Sequence, residues 1–139
     1  MKPTDFSKLK MTAISSPDDA TINWFAAFAC YGGHGAENTV VVPFSIPPGG
    51  HLGWHTDSLE ETQYIIAGSG ELQARPKFLT GGPGQHLCTA EGPAARPAQY
   101  RNGAAVGHRL FSGEALTQTF DNVMRPTNSH VLASPNVTG

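Results

Sequence analysis

Short apolar runs separated by glycine and proline are the feature of this sequence that most restricts its fold. The chain contains 16 glycines and 11 prolines among 139 residues, and many of them lie between segments rich in β-branched and aromatic residues. One such segment covers residues 39–46 and ends in a Pro-Pro-Gly-Gly turn. Glycine and proline are typical of turns between short strands, not of long helices. The pattern predicts an all-β sandwich or barrel, because closure removes the exposed edges of an antiparallel sheet.

The length of the chain predicts one domain with a single hydrophobic core. Its first residues are polar and rich in Ser and Asp, and its last residues contain prolines without a regular period. We therefore expect an N-terminal arm over residues 1–20, a barrel over residues 21–122 and an extended tail over residues 123–139.

Charge and hydropathy argue against nucleic acid and membranes as partners. Nine basic and eleven acidic residues are well mixed and give a net charge of −2. No basic block is present that could neutralise a run of phosphates. No apolar run reaches the roughly 18 residues that a membrane span requires, and the N-terminus lacks the apolar core of a signal peptide. With two cysteines and no CxxC motif, the sequence predicts a cytoplasmic protein without a disulfide framework.

Ionisable side chains are concentrated in one short stretch of the chain. If residues 51–57 form a strand, then His51, His55 and Asp57 share one face, because alternate side chains of a strand point the same way. Glu61 follows after a short turn, and a hairpin would bring it beside Asp57 and His55. The apolar residues between them occupy the opposite face. Alternation alone would therefore put the ionisable residues outside the barrel.

This stretch resembles the first motif of the cupin superfamily, which is written G-x5-H-x-H-x3,4-E-x6-G. Gly49, His55, Glu61 and Gly68 stand at its first glycine, first histidine, glutamate and last glycine, and every spacing is kept. Asp57 stands where the second histidine is usual. The resemblance implies a cupin-type jelly-roll β-barrel with a single domain, whose motif residues face the inside of the barrel.

The resemblance is strong over residues 39–74 and weaker beyond them. The second cupin motif is written G-x5-P-x-G-x2-H-x3-N, and Pro93 and Asn102 fit it. Ala98 stands where the last metal-binding histidine of the family is usual. Two of the four usual ligand positions are therefore altered, one to an aspartate and one to a side chain that coordinates nothing.

The motif positions leave two chemistries open. His55, Asp57 and Glu61 form a set of one imidazole and two carboxylates that suits a divalent metal such as Fe, Mn or Zn. Without a metal, two adjacent carboxylates raise the pKa of one of them, and a neighbouring imidazole completes an acid/base pair. Because Ala98 removes a ligand, the metal-free form is slightly favoured.

The functional hypothesis is a small-molecule enzyme that uses His55, Asp57 and Glu61 as catalytic acids and bases. By analogy with small cupins it is a lyase, dehydratase, isomerase or cyclase of a biosynthetic pathway. One alternative is a metal-dependent cupin dioxygenase, and the other is a cupin that binds a small ligand without catalysis.

Four further residues are predicted to contact a polar small-molecule substrate. Gln63 shares the face of Glu61, and His51 lies at the edge of the ionisable face. Arg96 and Tyr100 share a face with Ala98, so they would offer a guanidinium for an anionic group and a hydroxyl on an aromatic wall. A homodimer is plausible by analogy with other cupins, although no residue pattern specifies it.

Overall fold

The computed structural model describes residues 4–74, 77–88, 98–101 and 105–137, and of residues 74, 77–79 and 98–101 only the backbone. Within these ranges strands are the predominant regular element, which confirms the all-β prediction. Two short 3₁₀ helices, Phe6–Lys8 and Gly32–His34, are the exceptions. The strands are β1 (Thr12–Ser15), β2 (Asn23–Ala26), β3 (Val40–Ile46), β4 (His55–Asp57), β5 (Glu61–Gly68), β6 (Gly70–Ala74), β7 (Lys77–Gly81), β8 (His86–Cys88), β9 (Ala98–Arg101), β10 (Ala105–Phe111), β11 (Thr117–Met124) and β12 (Ser129–Ala133).

The described strands form three antiparallel sheets. The largest has the order β1-β2-β3-β10-β5-β8, and the two smaller ones have the orders β12-β11-β4 and β7-β6-β9. Strand β10 lies between β3 and β5, so strands distant in sequence are neighbours in the large sheet. Such a crossing of strands distant in sequence is typical of jelly-roll folds, in which facing sheets enclose one core.

The core lies between the large sheet and the sheet that contains β4. Its largest apolar side chains come from several strands and from the segments between them: Ile22, Trp24, Phe44, Leu52, Ile65, Phe111, Leu116, Phe120 and Met124. In β10 every second residue is buried, and these residues are Ala105, Gly107, Arg109 and Phe111. A charged residue thus occupies an inward position of a central strand, which requires compensating partners.

The prediction of a continuous strand over residues 51–57 is wrong. Strand β4 begins only at His55, because Gly53 has a φ of +89° that interrupts the extended backbone. The interruption cancels the expected alternation, and Leu52 and His55 are both buried although three positions separate them. His55 therefore faces the interior without displacing the apolar residues that precede it.

Both ends of the chain contribute strands to the sheets. β1 lies in the predicted arm and pairs with β2 of the barrel, and β12 lies in the predicted tail and pairs with β11. A bridge between Ser15 and Arg125 joins the two end regions. The predicted tail therefore contains a paired strand, and the exact division into arm, barrel and tail stays a prediction.

In the described part of the chain, no helix combines the length and hydrophobicity that crossing a membrane would demand.

Replacing Gly107 by alanine is expected to destabilise the fold by about 1–3 kcal/mol or more. A Cβ atom at this position of β10 would overlap the carbonyl oxygen of Tyr64 and press against the ring of Phe44. The change would force β5 and β10 apart beside Arg109. Urea unfolding measures the loss, and Gly82→Ala is a matched control because its added Cβ would meet only Gln85 at 3.7 Å. Equal stabilities of the two variants would contradict the close strand approach.

Candidate functional site

Four strands bring ionisable and amide side chains to one place inside the barrel. β4 supplies His55 and Asp57, β5 supplies Glu61, and β10 supplies Arg109. Strand β11 adds Gln118, which lies opposite Asp57 in the strand register. The structure therefore brings the three predicted catalytic residues together. We call His55, Asp57, Glu61 and Arg109 the central cluster.

Arg109 lies at the middle of the central cluster. Its Nε donates to Glu61 Oε1 at 2.6 Å, and one terminal nitrogen lies 3.1 Å from His55 Nε2 and 3.4 Å from Asp57 Oδ2. Its guanidinium also lies over the ring of Phe111, 5.0 Å from the ring centre. Arg109 is completely buried, and His55 and Glu61 are each only 1% exposed. Three side chains thus direct their acceptor atoms at one guanidinium, whose several N–H donors and permanent charge suit all three.

The partners of His55 define its protonation. Nδ1 lies 2.8 Å from the carbonyl oxygen of Gly53, which can only accept a hydrogen bond. Nε2 faces Arg109, which can only donate. A neutral imidazole with the proton on Nδ1 satisfies both contacts, and this assignment follows from the partners. Nε2 then carries a lone pair that points into the cluster, and Asp57 Oδ2 lies 3.6 Å from it.

Two amides hold the carboxylates in place. Gln63 donates to Glu61 Oε1 at 2.5 Å, and Gln118 donates to Asp57 Oδ1 at 2.6 Å. The side-chain oxygen of Gln63 is buried and has no hydrogen-bond partner among the described residues. The predicted contact residue Gln63 is therefore adjacent to the central cluster and has acceptor capacity left for a ligand.

The surroundings separate the acidities of the two carboxyl groups. Burial raises the pKa of Glu61 above its ordinary value, against the opposing effect of the Arg109 charge, and the nearby Asp57 raises it further. Burial opposes ionisation of Asp57 as well, but the charge of His55 when protonated, the charge of Arg109 and the hydrogen bond from Gln118 outweigh it. The pKa of Asp57 consequently lies below its ordinary value. The sequence predicts a raised pKa for one of the two carboxyl groups, and in the structure that group is Glu61.

Asp57→Asn is expected to make the free energy of unfolding depend less on pH under acidic conditions than it does in the natural chain. The pKa of Asp57 is lower in the folded chain than its ordinary 3.8, so the unfolded chain takes up a proton first as the pH falls through that value. The wild-type free energy of unfolding should therefore fall below about pH 4, by up to about 1.4 kcal/mol per pH unit from this group. Asparagine removes this dependence.

Urea unfolding between about pH 2 and pH 5 measures the two slopes, in the range where an aspartate titrates. Asp121→Asn is the matched control, because Asp121 is an exposed residue of β11. A slope that is unchanged in Asp57→Asn would contradict the stabilised charge of Asp57.

The described residues do not fit the metal ion that the cupin motif implies. No group of three or more His, Cys, Asp or Glu side chains in the described ranges is arranged to hold a metal. The atoms that would coordinate it, His55 Nε2, Asp57 Oδ2 and Glu61 Oε1, all contact the nitrogens of Arg109. A cation already occupies the point at which they converge.

The other predicted contact residues are placed differently. His51 accepts from the backbone N–H of Gly53 through Nδ1 at 3.1 Å, and its Nε2 lies 2.7 Å from the hydroxyl of Thr21. Both ring nitrogens therefore have partners within the protein, and a substrate contact by His51 stays a prediction. Arg96 lies outside the described residues, and the side chain of Tyr100 on β9 does too.

Sequence reasoning missed Arg109 and Gln118. A signal for Arg109 existed, since the pattern of β10 places it on the same face as Ala105 and Phe111. An arginine on an otherwise apolar face of a strand indicates a buried cation with acceptors around it. Gln118 had no comparable signal, because its role depends on the pairing of β11 with β4.

A cavity of about 420 Å³ opens between the large sheet and the strands β11 and β12. Two of its wall residues are direct register partners of the central cluster. Val42 lies opposite Arg109, and Gln118 lies opposite Asp57. The remaining wall is mostly apolar and aromatic, and its side chains include Leu9, Ile14, Trp24, Phe28, Tyr31 and Leu132. None of the four cluster residues is among the wall residues, so the cavity adjoins the cluster only through Val42 and Gln118, and its size suits a small molecule.

Solved structures with the same fold include enzymes that act on small molecules. The polyketide cyclase RemF from Streptomyces resistomycificus matches with a TM-score of 0.66 and 19% identity over 81% of this chain and 79% of that protein. A sugar phosphate isomerase of the cupin superfamily from Silicibacter pomeroyi has a TM-score of 0.66 and 14% identity over 95% and 91% of the two chains. A predicted oxalate decarboxylase from Thermotoga maritima has a TM-score of 0.63 and 16% identity over 80% and 97%.

These matches confirm the cupin-type jelly-roll β-barrel. Their sequence identities are low, so they establish the fold and not an individual activity. No protein-family model matches the sequence, and no curated protein matches it significantly. The chain is thus a cupin-fold protein that resembles cyclases and isomerases in architecture, and its own activity must be argued from the central cluster and the cavity.

Proposed function

We propose that this protein is a small-molecule enzyme that moves a proton within its substrate, as a cyclase, isomerase, dehydratase or lyase does. The observation that carries this proposal is a buried acid/base cluster, His55, Asp57 and Glu61 around Arg109, beside a cavity of about 420 Å³. Proton transfer near neutral pH needs an acid and a base whose acidities have been shifted by their surroundings.

Charge balance assigns the roles within the central cluster. Asp57, whose pKa is lowered, offsets the permanent charge of Arg109. The remaining pair, Glu61 and His55, can hold one proton in two ways, as a neutral acid with a neutral imidazole or as a carboxylate with an imidazolium. Both arrangements keep the buried cluster without net charge, so neither requires an uncompensated charge in a low dielectric. Glu61 is therefore the proton donor and His55 the proton acceptor.

Arg109 has a further role in this proposal. Removing a proton beside a carbonyl, or closing a ring onto one, develops negative charge on oxygen. A fixed guanidinium in a water-poor site stabilises such charge without reorganisation. Arg109 is held at three points by its partners, which keeps its orientation constant during the reaction.

The cavity suits a substrate with an apolar body and one polar end. Its wall is mostly aromatic and aliphatic, and Gln118 is the buried polar residue among the wall residues. Gln118 uses its amide nitrogen on Asp57, which leaves the amide oxygen for a hydroxyl or amide donor of a ligand. This substrate is less polar than the one that the sequence suggests.

The comparisons support a reaction of this kind. The matched structures are named as a polyketide cyclase and a sugar phosphate isomerase. Ring closure and isomerisation both rearrange protons on a carbon skeleton. We do not propose the dioxygenase alternative, because the donor atoms that an iron ion would need are engaged by Arg109.

The proposal is tested with a panel of small molecules that combine one or two rings with a carbonyl or hydroxyl group. NMR spectroscopy in D₂O follows chemical change and the incorporation of deuterium at carbon. We expect at least one class of compound to react about 10²- to 10⁴-fold faster with the protein than without it. Ala133→Trp, which fills the cavity wall, should lower kcat/KM by about tenfold or more, since it excludes the substrate.

Ala13→Trp is the matched control, because Ala13 is exposed on β1 and is not among the cavity wall residues. Compounds that bind in the cavity without reacting would favour the non-catalytic ligand-binding protein. Turnover that persists in Ala133→Trp would place the reaction outside this cavity.

A further inference from the structure

We propose that the indole N–H of Trp24 donates a hydrogen bond to a neutral carbonyl oxygen of the molecule bound in the cavity, so that this residue selects ring compounds that carry a carbonyl group. The inference rests on the proposed function only in taking the cavity as the substrate site. It assigns substrate selection to a residue outside the central cluster.

The first argument is an unpartnered donor. Trp24 lies on β2 and is only 1% exposed. Its Nε1 atom is buried and has no hydrogen-bond partner among the described residues. A buried donor without an acceptor is unfavourable, and proteins usually satisfy such a group with another protein atom, a water or a ligand. An indole nitrogen can only donate, so the partner must be an acceptor.

The second argument is the position of Trp24 in the cavity of about 420 Å³. The wall residues Ile14 and Ala26 are buried, as Trp24 is, whereas the wall residues Lys10 and Thr127 are exposed. The cavity therefore has a deep end and an outer end, and Trp24 belongs to the deep end. A molecule bound there can supply the acceptor that the described residues do not supply to the indole.

The third argument is the charge of the wall. The described wall residues include no Asp or Glu, and Lys10 at the outer end is the one with a permanent charge. A carboxylate at the deep end would lose its hydration without gaining a charged partner from the described wall, which is strongly unfavourable. A neutral carbonyl oxygen needs only a hydrogen-bond donor, and Trp24 provides one.

The fourth argument is the connection between Trp24 and the central cluster. The ring of Phe120 has its centre 6.4 Å from that of Trp24 and 4.8 Å from that of His55. One aromatic ring thus packs between the indole and the imidazole along this chain of contacts. A substrate held by Trp24 is therefore held in a constant position relative to His55, and such positioning favours a reaction.

The test compares the binding of α-tetralone with that of tetralin, which has the same two fused rings without the carbonyl oxygen. Isothermal titration calorimetry of the natural chain should show α-tetralone bound about tenfold or more tightly, although tetralin is the more hydrophobic compound. Trp24→Phe should abolish this preference, because phenylalanine keeps an aromatic ring but has no donor. Trp54→Phe is the matched control and should keep the preference, since Trp54 is not among the described wall residues.

A second measurement uses the natural chain and does not depend on the folding of Trp24→Phe. The chain has two tryptophans, so a ¹⁵N-labelled sample gives two indole N–H signals in an NMR spectrum. Trp54→Phe identifies the signal of Trp24. We expect α-tetralone to move the Trp24 proton signal downfield of its position with tetralin, because hydrogen bonding to oxygen deshields the proton.

Equal affinities of the natural chain for the two compounds overturn the inference, and so does a preference that persists in Trp24→Phe. Failure of both compounds to bind up to the limit of their solubility overturns it as well. Selective binding of α-tetralone through Trp24 supports it even if no compound of the panel reacts. In that case the proposed reaction fails and the assignment of Trp24 stands, so the two failures are distinguishable.

Discussion

Arg109→Met is expected to lower the free energy of unfolding at neutral pH by about 3–5 kcal/mol. Methionine keeps most of the length of the side chain but removes its charge and its donors. The loss is large because Asp57 and Glu61 stay buried after the cation that both contact has gone, and removing one partner of a buried ion pair costs more than the pair gained. Arg109 is also packed over Phe111, so part of its aromatic contact is lost as well.

Urea unfolding measures this loss, with Arg125→Met as the matched control. Arg125 is exposed, and its replacement should change the stability by less than about 0.5 kcal/mol. The difference between the natural chain and Arg109→Met should shrink as the pH falls below about 4, because the natural chain then loses the stability that the lowered pKa of Asp57 gives it. A loss that is small, or that does not depend on pH, would show that Arg109 is not the counter-ion of Asp57.

Glu61→Gln is expected to lower kcat of the proposed reaction by about 10²- to 10⁴-fold with little change in KM. Glutamine has nearly the same shape and can still accept from Arg109 and Gln63, but it cannot release or take up the proton that the reaction moves. Glu61 is completely enclosed, so water cannot easily replace its function. The comparison is made on the substrate found with the compound panel, by steady-state kinetics.

The matched control is Glu60→Gln, the same substitution one residue earlier at an exposed position. It should leave kcat and KM unchanged. A pH–rate profile adds a readout that a merely structural role would not affect: the limb that belongs to Glu61 should disappear in Glu61→Gln. If kcat stays within a few-fold of the natural enzyme, Glu61 is not the proton donor and His55 with Asp57 must carry the reaction.

The arginine at the centre of the site affects both the stability of the protein and its proposed reaction. A guanidinium cannot be deprotonated in a protein, so the charge at the centre is constant over the whole pH range. It also cannot exchange with the solvent, as a metal ion can. The proton that the proposed reaction moves must then come from another member of the cluster, and the proposal assigns it to Glu61, whose pKa is raised by burial.

Local sequence patterns predicted the strands well where composition and turns agreed. The segment that became β3 was predicted within one residue of its observed start, because it is rich in β-branched residues and ends at a Pro-Pro-Gly-Gly turn. The prediction failed around Gly53, since a positive φ at one glycine reverses the alternation of every following residue. Whether a glycine adopts such a φ depends on its packing, here against Ile22, and not on its neighbours in sequence.

The candidate site was predictable only in part, for a related reason. His55, Asp57 and Glu61 lie close together along the chain, so a short motif can display their spacing. The hairpin expected to join them is wrong, because β4 pairs with β11 whereas β5 pairs with β10 and β8 in another sheet. The pairing of β10 with β5, which brings Arg109 to Glu61, joins residues 48 positions apart. No local period reports such a pairing.

The amino-acid sequence by itself determined that this protein is all-β and that an imidazole and two carboxylates lie close to one another. These properties depend on turn residues and on contacts within a few residues along the chain. Only the tertiary structure decided that the three groups face inward and surround Arg109 beside a cavity. That arrangement arises from long-range strand pairing, which joins residues far apart in sequence and which no local preference encodes.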